Sequence, residues 1–352
     1  MFDRARAILR GGLLERVFPG AAVEVGTATA VLWRDAVGRH TYEPDSRVVD
    51  PDTVFDLASL TKVLATTPLV LQLVERGVLG LDDRVAGRLP GWLGEDRRGV
   101  TLRDLLSHSS GLPAHRPYYT ALRGRPAYEA AICAEPLASA PGTASVYSDL
   151  GFMLLGFLVE DAGGMALGER FQRLAAQLAP GDRIQFTPPA AWQADTAPGV
   201  RDALRGRVLL GEVDDQNAWA LGGVAGHAGL FGTAAAVGAF ARHHLQVLGG
   251  RTGLVSRPLM AEAVSRREGI PGSSRALGWD TMLPTSSCGT RLSARAFGHT
   301  GFTGTSLWID PVSEIYVVLL ANRLHPDGPR DGIQSVRAAF HDAVIDARAL
   351  TP

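Results

Sequence analysis

Apolar positions change their period along this chain. From Ala21 to Trp33 small and β-branched residues form a strand-like stretch, and a second strand-rich region runs from Gly298 to Ala321. There, Ala296 to Asp310 alternates into one strand, and Glu314 to Ala321 forms a second. Gly301 and Gly304 inside the first predict that another group approaches the backbone closely. From Ser59 to about Leu248 helical spacing prevails, interrupted by Gly and Pro loops. One helix follows Lys62 and ends near Gly77, another covers Leu150 to Glu160, and a closing helix, about Gln334 to Ala349, is placed to cover a sheet face. Strands at both ends with helices between them predict an α/β (α+β) fold: an antiparallel sheet built from both chain ends, flanked by helices, with a mainly helical inserted subdomain. The expected organisation is a single domain over 1–352, with a sheet lobe of about 1–58 and 285–352, a helical lobe of about 59–284, and the chemistry at their junction.

Composition narrows the function classes. The 352 residues are 46% hydrophobic and 20% charged, enough to fill a large core. Net charge is −1 and no basic block stands out, so no nucleic-acid partner is expected. No uncharged apolar run reaches the roughly eighteen residues of a membrane span. The amino end alternates Arg with short apolar stretches and reads as no signal peptide. Cys133 and Cys288 are too few for a disulfide framework and too far apart for a metal motif, which fits a reducing, cytoplasmic setting, or a periplasmic one if a leader has been removed. His243 and His244 are adjacent and point apart, and no metal, nucleotide or other cofactor motif is read; no Gly-x-Ser-x-Gly elbow occurs either.

The chain holds 35 Lys and Arg residues, and only one of them, Lys62, is lysine. Arg serves as well as Lys on a solvated surface but cannot give up its proton, so a lone surviving lysine invites scrutiny. Lys62 stands three residues after Ser59, at a predicted helix start. Positions i and i+3 share a helix face, so hydroxyl and amine can touch, and the helix amino terminus favours an alkoxide there. For Lys62 to act as the base its pKa must fall by about 3 from the usual value near 10.4, which burial can supply. The plain alternative is a surface Ser followed by a surface Lys.

Two further clusters accompany this pair. Tyr147-Ser148-Asp149 leads into the Leu150 helix; Ser148 and Asp149 also suit helix capping, and Tyr147 suits a buried aromatic. His299-Thr300-Gly301 lies in the later strand region, where a lone His is more often structural. In this order and with the flanks Leu105–Pro113, Ala220–Phe231 and Leu307–Pro311, the three elements resemble the signatures of class C β-lactamase-related serine hydrolases and penicillin-binding proteins, over roughly residues 20 to 345. The resemblance implies a β-lactamase/transpeptidase-like fold. It makes Ser59 the acylated nucleophile, Lys62 its proton partner and Tyr147 the group that shuttles a proton to the leaving group and then activates water. His299, Thr300 and Gly301 would edge the substrate site, and the backbone N–H groups of Ser59 and Phe302 would form the oxyanion hole.

Two positions depart from that pattern. His299 stands where β-lactamases carry a lysine, removing a permanent cation that anchors a substrate carboxylate. Asp149 stands where many relatives have Asn, and its charge would hold Lys62 protonated and repel anions unless it turns away to cap its helix. Both favour a small, neutral ester or amide substrate and an esterase-like hydrolase. The alternatives are a D-alanyl-D-alanine carboxypeptidase or class C type β-lactamase, and a sensor that acylates without turnover. His227, in Gly226-His-Ala-Gly229, reads as loop structure neighbouring the site rather than as a catalytic group.

Overall fold

The two strand-rich ends of the chain pair with each other. In the computed structural model, which describes residues 1–328 and 331–349, strand β1 (Gly20–Gly26) runs antiparallel to β11 (Ile315–Ala321), Ala21 opposite Ala321 and Gly26 opposite Tyr316. The intervening strands are β2 (Val31–Gly38), β3 (Phe55–Asp56), β4 (Ile184–Phe186), β5 (Arg201–Asp202), β6 (Arg207–Val208), β7 (Leu230–Gly232), β8 (Asp280–Thr281), β9 (Phe297–Thr300) and β10 (Ser306–Asp310). The α-helices are α1 (Asp3–Leu14), α2 (Thr67–Glu75), α3 (Leu102–Leu106), α4 (Gly124–Ala134), α5 (Asp149–Gly163), α6 (Leu167–Leu178), α7 (Gln216–Ala220), α8 (Ala234–Leu248), α9 (Arg257–Val264) and α10 (Ile333–Ala349). The main sheet has the order β2-β1-β11-β10-β9-β8, antiparallel throughout. A smaller sheet, β3-β7-β4, carries the chain toward Ser59.

β11 explains why this sheet reads as a continuous apolar run. Ile315, Val317, Leu319 and Ala321 pack with α1 and α10, including Phe2, Leu9 and Phe340, while Tyr316, Val318 and Leu320 face a second cluster that contains Val237 and Phe240 of α8. A strand buried on both faces has no polar side, so period-two alternation vanishes. Two predicted strands are interrupted. Ala21 to Trp33 is a hairpin of β1 and β2, and Ala296 to Asp310 folds back between β9 and β10, His299 opposite Leu307. Gly304 takes a φ of +112° in that second turn, a region where a side chain would be strained. Of the expected sheet lobe, positions 329–330 and 350–352 lie outside the described residues.

Two buried histidines give the fold a pH dependence. His244 of α8 stacks edge-on against Trp279 at 5.1 Å, and His341 of α10 lies 3.2 Å from Ser306 Oγ. Burial pushes their imidazoles down to about 4 and about 3. An unfolded imidazole takes up its proton as the pH falls through about 6.5 whereas these rings stay neutral, so the unfolded state binds more protons and stability drops. Between pH 7.5 and 5 each ring should cost about 2 kcal/mol. His108 and His299, held well below their ordinary value chiefly by burial, act in the same direction. Asp56 and Asp214, pushed up by burial to about 6 and about 7, oppose them and offset part of the loss. The urea midpoint should therefore be lower at pH 5 than at pH 7.5; an equal or higher midpoint would contradict this account of the buried rings.

Candidate active site

Ser59 is delivered by a short, strained connection. β3 ends at Asp56, whose Oδ1 accepts the Ala58 N–H at 2.8 Å, and Ala58 takes a φ of +46°, uncommon for a residue with a side chain. The helix then opens with a π-helical turn, Lys62–Thr66, where Thr67 N–H reaches back to Lys62 O. Pro68 follows, and it lacks the N–H that an α-helical ladder would send to Leu64, a defect the wider turn accommodates. Lys62 thereby lies wholly buried beneath half-buried Ser59.

The Lys62 ammonium meets three acceptors. Nζ donates to Ser59 Oγ at 3.1 Å, to Asp149 Oδ1 at 2.7 Å and to the His227 carbonyl at 3.1 Å. Burial alone would drive its pKa down, but Asp149 and Tyr147 outweigh burial and raise it above the ordinary lysine value. The sequence-based expectation of a largely neutral amine is therefore corrected: Lys62 is held protonated. The cause is the position of Asp149. Ser148 caps α5, its Oγ accepting the Gly151 N–H at 3.3 Å, which leaves the Asp149 carboxylate free to face Lys62.

Tyr147 lies among cations and rings. Its ring centre is 4.8 Å from Lys62 Nζ and 4.9 Å from the Arg275 guanidinium, with the His108 and His299 rings at 4.6 and 5.7 Å. His299 Nδ1 lies 2.8 Å from Thr300 O, an acceptor, so the ring hydrogen sits on Nδ1 and buried Nε2 is left without a partner. Burial, then Arg275 and Lys62, keep this imidazole well below its usual pKa, so it supplies no positive charge. Arg275 does: it makes no ion pair among the described residues. Sequence reasoning missed it because one loop arginine among so many carries no motif. His108, inside the flanking stretch Leu105–Pro113, carries no motif of its own, yet its Nδ1 accepts the Ser148 N–H at 3.0 Å and helps set the approach to α5.

The β9–β10 turn packs directly on the Ser59 approach. Thr303 Oγ1 donates to Asp56 O at 2.7 Å and Thr305 Oγ1 to Leu57 O at 3.2 Å. A Cβ on Gly301 would fall 2.8 Å from Leu57 O, so the close approach inferred from this glycine is the nucleophile's own segment. Neither the Ser59 nor the Phe302 backbone N–H donates within the described residues, which leaves both donors unused. Contacts thus link Ser59, Lys62, Asp149, Tyr147 and His299, and Thr300 and Gly301 continue from His299 into the turn packed on Leu57. Phe302, 56% exposed, lines a cavity of about 330 Å³ with His115, Tyr119, Asp214 and Asp215. A larger cavity of about 680 Å³, bounded by Arg266, Arg267 and Arg295, includes none of these eight residues.

Comparison with known proteins adds three findings. A family model described as Beta-lactamase matches residues 5–340. Over 309 residues the chain is 33% identical to a protein of Escherichia coli (strain K12) provisionally named D-alanyl-D-alanine carboxypeptidase, covering 78% of this chain and 70% of that one. Among solved structures it resembles EstCE1, described as a hydrolase with promiscuous acyltransferase activity, with a TM-score of 0.77, 22% identity and coverage of 97% and 98%. It also resembles a penicillin-binding protein homologue from Caulobacter crescentus, with a TM-score of 0.75, 20% identity and coverage of 98% and 97%. At these identities the two structural likenesses speak to the fold.

Proposed function

The chain belongs to the Beta-lactamase family of serine hydrolases, and from that premise we propose that it hydrolyses small acyl esters through an acyl-Ser59 intermediate. The observation that carries this reading is the 3.1 Å contact between buried Lys62 Nζ and Ser59 Oγ, together with the two idle backbone donors of Ser59 and Phe302. Because Ser59 Oγ accepts a hydrogen bond from Lys62, its own hydrogen is free for another acceptor, and Tyr147, whose ring also faces Lys62, is assigned that part. As Ser59 attacks the ester carbonyl its proton passes to the Tyr147 oxygen while the phenol's own hydrogen passes to the leaving alkoxide, so the alcohol departs and Tyr147 ends as a neutral phenol. In the second half water attacks the acyl-serine, its proton passes to the Tyr147 oxygen while the phenol's hydrogen passes to the departing Ser59 oxygen, and both side chains are regenerated as the acid leaves. Lys62 and Arg275 offset the negative charge that develops on the serine and phenol oxygens, and the backbone donors do so for the carbonyl oxygen.

Ester preference is supported by the neutral His299 on the strand and by the Asp149 charge beside Lys62, both unfavourable to an anionic substrate. A second reading, cleavage of a carboxylate-bearing D-alanyl peptide or lactam, is favoured by Arg275, a cation without an ionic partner over Tyr147, and by the name of the Escherichia coli relative. Turnover of p-nitrophenyl acetate and butyrate, nitrocefin, and a D-alanyl-D-alanine peptide by the wild-type chain separates the two. The expected result is that the esters give the highest kcat/KM; efficient nitrocefin or peptide cleavage without ester turnover would overturn the ester reading.

A further inference from the structure

The segment from Gly226 to Leu230 touches the helix behind Ser59 at three points. Gly226 O accepts from Thr66 Oγ1 at 2.6 Å, His227 O accepts from Lys62 Nζ at 3.1 Å, and Leu230 N–H donates to Thr61 Oγ1 at 3.2 Å. A backbone carbonyl positions an ammonium only as well as its own peptide is held. On one side the peptide is wedged, since a Cβ on Gly226 would fall 2.0 Å from Phe152 O. On the other it hangs from the His227 side chain, whose Nε2 lies 2.8 Å from Asp215 Oδ1 and whose Nδ1 is buried without a partner. That contact is the imidazole's one hydrogen bond among the described residues. Asp215 is itself fixed, because the same Oδ1 accepts the Ala218 N–H at 2.7 Å as the cap of α7. Buried Asn217, next on α7, accepts from Tyr119 N–H at 3.0 Å and Tyr128 OH at 2.9 Å and donates to Arg116 O at 2.9 Å. Asp215 is thus held on a helix that is itself anchored through Asn217, and its contact with His227 leads to Lys62.

We propose that Asp215 and His227 are a positioning pair for Lys62: their contact holds the His227 carbonyl where it takes the third proton of the ammonium, so that the other two stay aimed at Ser59 and Asp149. The proposal rests on the reading of Ser59 and Lys62 given above. Neither side chain needs to touch substrate. With the carbonyl released, Nζ has two fixed acceptors instead of three and can swing away from Oγ, and a misplaced reacting group lowers kcat more than KM. Asp215 acts on Lys62 by charge as well. The titratable and charged groups facing Lys62 are Asp149 and Tyr147 at the start of α5, His108 after α3, His299 on β9, Arg275 before β8, and Asp215 at α7. Asp149 and Asp215 are the carboxylates in that set, and both favour the ammonium.

The test compares wild type with His227→Ala, His227→Gln and Asp215→Asn in the full chain. Functional sites are counted with a fluorophosphonate probe, and kcat and KM for p-nitrophenyl butyrate are measured per labelled site across pH. For His227→Ala, kcat per site should fall about ten-fold, less than the roughly hundred-fold cost of a 1 Å misplacement, with KM nearly unchanged. Gln can still reach Asp215 and should restore most of the loss. Asp215→Asn keeps the helix cap, and it should move the alkaline limb of kcat to lower pH by removing a negative charge that favours the ammonium. Fewer labelled sites with wild-type kcat per site and an unmoved alkaline limb would overturn the proposal and leave the pair a structural staple. Failure of the probe to label Ser59 in the wild-type chain would instead overturn the reading on which the proposal depends.

Discussion

Ser59→Ala should lower kcat for p-nitrophenyl butyrate by at least about 10⁴-fold, the scale seen when a serine nucleophile that works as a unit with its partners is removed. The substitution deletes one oxygen, and with it the atom that would form the acyl bond. The two backbone donors of Ser59 and Phe302 survive, because neither depends on a side chain. Residual activity should therefore reflect binding and oxyanion stabilisation alone, with KM little altered. Stability should change little, since Ser59 Oγ is one of three acceptors around Lys62 and the residue is only half-buried. Measured rates within ten-fold of wild type would mean that another group is acylated.

Lys62→Met should cost nearly as much activity, roughly 10³- to 10⁴-fold in kcat, because it removes the cation that faces Ser59 Oγ and the Tyr147 ring together. Its effect on stability should differ from that of Ser59→Ala. The variant leaves Asp149, whose side chain is 20% exposed, without its ion-pair partner. Breaking a fully buried pair costs about 3–5 kcal/mol, and the partial exposure of Asp149 brings the expected loss to roughly 1–3 kcal/mol. Adding Asp149→Asn should recover most of that stability by removing the stranded charge, and recover none of the activity. Urea denaturation and steady-state kinetics on the single and double variants check both halves. An active Lys62→Met enzyme would contradict the role given to the ammonium.

The centre of the sheet was legible in the sequence because β1, β11 and β10 are buried throughout. A run such as Ile315 to Ala321 has no polar interruption and stands between turn residues. The turn after His299 was not, since the stretch keeps its alternation across Gly301–Gly304 and the fold-back is set by contacts to Asp56 and Leu57, more than 240 positions away. In the cleft, the Ser59-x-x-Lys62 spacing was legible because it is a local helical relation. The charge on Lys62 was not, as it depends on which of two adjacent residues caps α5; Ser148 takes the cap and Asp149 is left to pair. Arg275 and the His227 carbonyl were hidden for the same reason. One is a loop cation brought over Tyr147 by tertiary packing, and the other is a backbone atom, whose importance no residue type announces.

The central claim is that Ser59 carries the acyl group. Mass spectrometry of the wild-type chain quenched during turnover of p-nitrophenyl butyrate, followed by peptide mapping, tests it directly. The account predicts a butyryl increment on the peptide that contains Ser59, absent from Ser59→Ala. An increment on a different residue, or ester turnover with no adduct on any peptide under conditions that trap acyl-serines, would contradict it.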